Sequence, residues 1–183
     1  MNKRLIPYIF LTISAAILDI VTKLVVQANL KLGQSVPVIE DFFHLTYVLN
    51  QGGAFGSRLG SNVFYLVSAL IVIGLVIFFL YREFGKNSYV DFALFLILGG
   101  AVGNLFDRIR MGAVVDFLDF DFFKINFFGY QFDRWPTFNI ADAEVTVGIA
   151  ILLLSFLFGL GRQVESERDN HDSNNMESGA DLT

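Results

Sequence analysis

Four long apolar stretches decide what this chain can become. A helix needs about 20 apolar residues to cross the hydrocarbon core of a bilayer. Residues 5–26, 59–81, 90–105 and 138–161 supply such runs. Asp19 and Lys23 interrupt the first, and the second holds no charge. The third is short and charged only at Asp91, while the fourth carries Asp142 and Glu144 in its first two turns. A bilayer offers no water to satisfy backbone polar groups, so helices are the natural solution. The sequence therefore reads as an α-helical membrane protein with four transmembrane helices, forming one domain over residues 1–161. Lys3 and Arg4, followed by Ser14-Ala15-Ala16, also look like a cleavable signal peptide. The apolar run continues ten residues past Ala16, which favours a retained span.

Composition agrees. Only 17% of the 183 residues are charged, against about 25% in a soluble domain. The formal net charge of −5 mostly describes residues 162–183, where six acids face two bases. That stretch reads as a disordered acidic cytoplasmic tail. No basic face is left for a nucleic acid. With no Cys and only His44 and His171, disulfides, thiol catalysis and Cys-ligated zinc are excluded, and no His pair has the spacing of a zinc peptidase. Hydrolytic chemistry would fall to carboxylates, with a Ser-Lys arrangement as the outside alternative.

Basic residues set the orientation. Six lie on each side, but Lys3 and Arg4 abut the first span and Arg82 and Lys86 share a loop of about eight residues. This density places both termini in the cytoplasm. The two long connections then lie outside. One contains Phe43-His44-Leu45-Thr46-Tyr47-Val48-Leu49, an alternation typical of a strand. The other, 106–137, is an aromatic loop rich in Phe, expected to lie on the membrane surface or to fold as small strands.

Ionisable groups within spans are costly and mark function. Asp19, Thr22 and Lys23 share a helix face, as do Asn104, Asp107 and Arg108. The plain reading of the first set is an ion pair that makes one turn tolerable in lipid, and of Asp107 with Arg108 an interfacial salt bridge ordering the next loop. Asn139 reads as an N-cap with Asp142 in the first turn, where the helix dipole favours an acid. Asp116 sits in an apolar setting, Val114-Val115-Asp116-Phe117, and becomes a candidate partner for Asp142 if the intervening loop returns to the membrane. Asp119 and Asp121 follow at period 2, as exposed strand residues do. Two other readings stay open on these residues alone: a proton-coupled transporter with an acidic relay, and a membrane assembly factor using the aromatic loop.

Four blocks carry a resemblance. They are Asp19-x-x-Thr22-Lys23; Asn50-Gln51-Gly52-Gly53-Ala54-Phe55-Gly56; Gly103-Asn104-Leu105-Phe106-Asp107-Arg108 with Val114-Val115-Asp116-Phe117; and Trp135-Pro136-Thr137-Phe138-Asn139-Ile140-Ala141-Asp142. In this order and at these span positions, the chain resembles the lipoprotein signal peptidases (signal peptidase II), the aspartyl peptidases of the bacterial cytoplasmic membrane. The likeness covers roughly residues 5–160. It implies a multi-pass protein with cytoplasmic termini, a small extracytoplasmic β-structure and an active site near the extracytoplasmic surface. It implies Asp116 and Asp142 as the catalytic pair, supported by Asp19, Lys23, Asn50, Gly52, Asn104, Asp107, Arg108 and Asn139. It further implies prolipoprotein substrates cut before a diacylglyceryl-modified Cys, contact with membrane lipid, inhibition by globomycin, and no cofactor or metal. One departure is Ala143-Glu144 after the second Asp, where the family usually places Ser first.

Overall fold

In a computed structural model, the structure describes residues 3–52, 60–121 and 134–160, and the backbone alone of 125–127 and 130–132. The proposed tail and the side chains of residues 122–133 in the aromatic loop lie outside the described residues. Among these residues four helices are long and apolar enough to cross a membrane: α1 (Leu5–Asn29), α2 (Asn62–Glu83), α3 (Ser88–Met111) and α4 (Ile140–Phe158). Pro7 falls in the first turn of α1, where its missing N–H is not needed. Asn87 caps α3 by accepting from Tyr89 N and Val90 N, and Gly112 ends it at φ 72°, a left-handed conformation that favours glycine.

The third span is therefore longer than the apolar run at 90–105 predicts. In its last two turns Asn104, Asp107 and Arg108 find partners within the protein. Asp107 and Arg108 belong to the helix, not to a loop after it. The fourth helix starts at Ile140, later than the predicted 138, because Asn139 is its cap.

α3 is the central helix, packed by α1, α2 and α4. Leu94, Phe95 and Ile97 of α3 form an apolar core with Val76 and Leu80 of α2. Glycines bring the helices close elsewhere. A Cβ on Gly100 would meet Ala141 O of α4 at 2.5 Å, and one on Gly148 of α4 would meet Ala93 O at 3.0 Å. Small residues at such crossings let backbones and polar groups approach.

A three-stranded antiparallel sheet in the order β1 (Ser35–Ile39), β2 (Phe43–Asn50), β3 (Val114–Phe120) sits at the end of the bundle where α1 and α3 finish. The alternation at 43–49 is thus a strand, as its pattern predicts. β2 bulges between Leu45 and Val48, and beyond the bulge Val48 pairs with Asp116 and Asn50 with Val114. Val115 and Phe117 join Val26 of α1 in a second apolar core. Part of the aromatic loop forms a hairpin, β4 (Ile125–Phe127) with β5 (Tyr130–Phe132).

Candidate active site

Each acid reaches the site by a local rule. Asp116 lies on β3 two register steps from Asn50, and same-face diagonal neighbours of a sheet touch. Asn50 Nδ2 donates to Asp116 Oδ2 at 2.9 Å. Asp142 lies at the third position of α4 and closes a capping box: Asp142 N donates to Asn139 Oδ1 at 2.9 Å, and Asn139 N donates to Asp142 Oδ2 at 3.3 Å. The N-cap reading of Asn139 is therefore correct, and the cap does more. Its Nδ2 donates to Asp116 Oδ1 at 2.7 Å. A single side chain thus contacts the acid of the strand and the acid of the helix.

Asn104 of α3 completes the link. Its Nδ2 donates to Asp142 Oδ1 at 2.9 Å, and its Oδ1 accepts from Asn139 Nδ2 at 3.2 Å and from Lys23 Nζ at 2.8 Å. The orientations are mutually consistent: every amide hydrogen bond has one donor and one acceptor. Asp116 and Asn139 are both buried. Burial first, and then the neighbouring Asp142, push the Asp116 carboxyl up to about 7, while the Asn50 and Asn139 hydrogen bonds and Lys23 pull the other way.

Beneath this pair lies a buried ion cluster. Lys23 Nζ pairs with Asp19 Oδ2 at 2.7 Å, as the spacing predicts, and also with Asp107 Oδ2 at 3.3 Å. Asp19 Oδ1 accepts from Ala141 N at 2.9 Å, tying α1 to the first turn of α4. Asp107 Oδ2 accepts from Val115 N at 3.1 Å, tying α3 to β3. The expected Asp107–Arg108 salt bridge is not what forms. Asp107 faces Lys23 and Arg110, while Arg108, one position on, points to another helix face. There its Nη2 donates to Gly52 O at 2.8 Å and its guanidinium lies 5.0 Å from the Tyr65 ring. Gly52 N in turn donates to Asn50 Oδ1 at 2.9 Å. All ten residues singled out from the sequence thus join one contiguous region.

The reading of Asp119 as exposed is wrong. It is 1% exposed and bonded to Thr46 and Arg134. The period-2 pattern misleads because Asp119 shares its strand face with the buried Val115 and Phe117, and Thr46 and Arg134 bond it there. Tyr65, under Arg108, has no sequence signal at all, since an aromatic residue in a span is ordinary. Among the described residues no cluster of three or more His, Asp or Glu side chains has the geometry to hold a metal ion.

Comparisons with known proteins converge. The family model described as Signal peptidase (SPase) II matches residues 11–158. A lipoprotein signal peptidase of Halothermothrix orenii is 42% identical over 138 residues, 75% of this chain and 86% of that protein. One from Staphylococcus carnosus is 37% identical over 150 residues, 82% of this chain and 89% of that protein. A solved structure described as a bacterial membrane enzyme superposes with TM-score 0.72 at 33% identity, covering 82% of this chain and 87% of that one.

Proposed function

The chain belongs to the signal peptidase II family, membrane aspartic peptidases that remove signal peptides from prolipoproteins, and on that premise we propose that Asp116 and Asp142 together activate the water that cuts the chain before a diacylglyceryl-modified Cys. The observation that carries this reading is the pair of asparagines, 104 and 139, that holds the two carboxylates in one network. Two close carboxylates do not both ionise easily, so the pair shares a proton. Asp116, raised to about 7, keeps it at rest. Asp142 then takes a proton from water as the water oxygen attacks the scissile carbonyl. Asp116 gives its proton to the carbonyl oxygen. As the tetrahedral intermediate collapses, the proton now on Asp142 passes to the leaving amine, and Asp116 recovers its own from the hydroxyl. The acid–base pair is restored.

The remaining residues hold this geometry. Lys23, Asp19 and Asp107 pin α1, α3, α4 and β3 to one another. Asn50 and Arg108 both fix the backbone at Gly52. A lipid-anchored substrate is confined to the bilayer, so a site at the sheet end of the helices meets its scissile bond at a fixed depth. The dense basic residues Lys3, Arg4, Arg82 and Lys86 support the sheet lying outside, with the Asn87 end, both termini and the 162–183 tail in the cytoplasm.

The test is processing of a lipidated prolipoprotein by membranes carrying Asp116→Asn or Asp142→Asn. Each variant is expected to lose cleavage by about 10³-fold or more, and near-normal cleavage by either would overturn the pair. Globomycin is expected to inhibit the purified wild type. The orientation is tested separately in this Cys-free chain: Glu40→Cys should react with an impermeant maleimide in intact cells, and Lys86→Cys only after lysis.

A further inference from the structure

The sheet holds a buried acid that the reaction above does not use. Asp119 lies three residues past Asp116 on β3, and its Oδ2 receives both the Thr46 hydroxyl and Arg134 Nη1, the latter at 3.2 Å. Arg134 Nη2 also reaches Asp121 Oδ2 at 3.6 Å. A cation from the segment that leads into α4 is thus clamped by two acids of the β3 strand and its end. An exposed ion pair would do little. This one differs because the Asp119 side chain is 1% exposed while Arg134 is 44% exposed. A carboxylate so buried depends strongly on its charged partner.

The clamp closes a backbone zipper. Trp135 N donates to Phe120 O at 3.2 Å, Phe138 N to Leu118 O at 3.1 Å, and Leu118 N to Phe138 O at 2.8 Å. Residues 134–138 therefore run antiparallel along β3, with a single β-bridge at Leu118 and Phe138. The next residue is Asn139, which bonds Asp116 and opens the helix of Asp142. The spacing of the two carboxylates is set where this zipper ends. Between residues 121 and 134 the chain makes an excursion whose closure costs entropy, and Arg134 sits at its mouth.

We propose that Arg134, gripped by Asp119 and Asp121, is a positioning residue for the peptidase reaction: it locks the start of α4 onto β3 and so fixes the separation of Asp116 and Asp142. This rests on the reading that those two acids carry the chemistry. Arg134 touches neither. It acts through Asn139, and small displacements of reacting groups have large kinetic effects.

The experiment uses full-length enzyme and a lipidated prolipoprotein, with Arg134→Gln, Arg134→Lys and Asp119→Asn, and Asp116→Asn as control. Arg134→Gln should lower kcat about tenfold with KM changed less than about twofold. It should also move the alkaline limb of the kcat profile to lower pH, because a more distant Asp142 repels ionisation of Asp116 less. The other charged groups around the pair, Asp19 and Lys23 on α1, Asp107 and Arg108 on α3 and Glu144 on α4, are unaltered. Arg134→Lys should restore most of kcat and return the limb, and Asp119→Asn should repeat the Gln phenotype. Wild-type kcat and pH profile in Arg134→Gln, beside an inactive Asp116→Asn, would remove the lock and leave the catalytic pair intact. Activity lost only in proportion to folded protein, with an unmoved limb, would make the contact purely structural and overturn the proposal. An active Asp116→Asn would topple the pair itself, and the lock with it.

Discussion

α3 is one helix with two unlike halves. Near Asn87 it meets its neighbours through apolar side chains: Leu94, Phe95 and Ile97 pack on Val76 and Leu80, and Tyr8 of α1 stacks on Phe95 with centroids 5.2 Å apart. Beyond Gly99 it meets the same neighbours through glycines and charges. Gly103 lies against the Asp19 carboxylate, and Asn104 and Asp107 both reach Lys23. The first half rests mainly on shape and apolar area, with the buried Asp91 held by Gly85 N at its start. The second half depends on paired donors and acceptors, since lipid supplies no replacement. Polar groups are tolerated there because the backbones are close enough for side chains of four elements to meet. Close packing at one end is thus a precondition for chemistry at that end.

The contrast breaks most violently at Lys23. Lys23→Met leaves Asp19 buried without its cation and Asp107 with only the more distant Arg110, at 3.8 Å. Removing one partner of a buried pair costs about 3–5 kcal/mol, so we expect most folded protein to be lost, read as yield and melting midpoint in detergent. The turn leading into α3 supplies the control. Lys86 pairs with Glu83 at 3.2 Å, but both side chains are about half exposed. Such a pair is worth about 0–1 kcal/mol, and Lys86→Met should leave yield and activity nearly unchanged. Equal effects from the two substitutions would erase the distinction between the two ends of α3.

Proton linkage gives the next effect. The Asp116 carboxyl is raised from 3.8 to about 7. Below pH 4 it is protonated folded or unfolded, so it contributes no difference. As pH rises from about 4 to about 7 the unfolded chain releases the proton while the folded one keeps it, and folding stability falls. Above about 7 both states are ionised and the loss is complete, on the order of 4 kcal/mol from this group. Thermal melts should therefore show higher stability at pH 5 than at pH 8, and Asp116→Asn should flatten that slope. Activity should decline along with stability as pH passes about 7, since the pair needs its proton. A profile flat to pH 9 would contradict both statements.

Much of this was legible before any coordinates. The four spans follow from apolar length, the 43–49 strand from alternation, and Asn139 as a cap from its place before an apolar run. Polar residues in the spans or just beyond their ends point to Asp19, Lys23, Asn104 and Asp107, because lipid makes such residues conspicuous. Helix ends were less legible. Hydropathy marks where a helix leaves lipid, not where it stops, so α3 was cut short by the polar residues it buries in protein. The partners of Arg108 were misread because neighbours in sequence lie on different helix faces. Asp119 is misread because alternation alone does not tell which strand face is buried: Asp119 falls on the face of Val115 and Phe117, and its partner Arg134 comes from a segment distant in sequence.

The gentlest test compares glycines on the central and outer helices. Gly100 faces α4 so closely that a Cβ would sit 2.5 Å from Ala141 O, whereas Gly74 on α2 has nothing within 4 Å of that position. Gly100→Ala must push α4, whose first turn carries Asp142, away from α3. Such overpacking typically costs about 1–3 kcal/mol, and cleavage should fall more steeply than the melting midpoint, because Asn104 loses reach to Asp142. Gly74→Ala adds a methyl that faces lipid and replaces the residue least favourable to a helix after proline. It should raise the melting midpoint slightly, by up to about 1 kcal/mol of stability, with cleavage unchanged. Should Gly74→Ala damage cleavage as much as Gly100→Ala, α2 would have to be as closely engaged with the polar cluster as α4, and close packing would no longer separate the catalytic seam from the rest of the bundle.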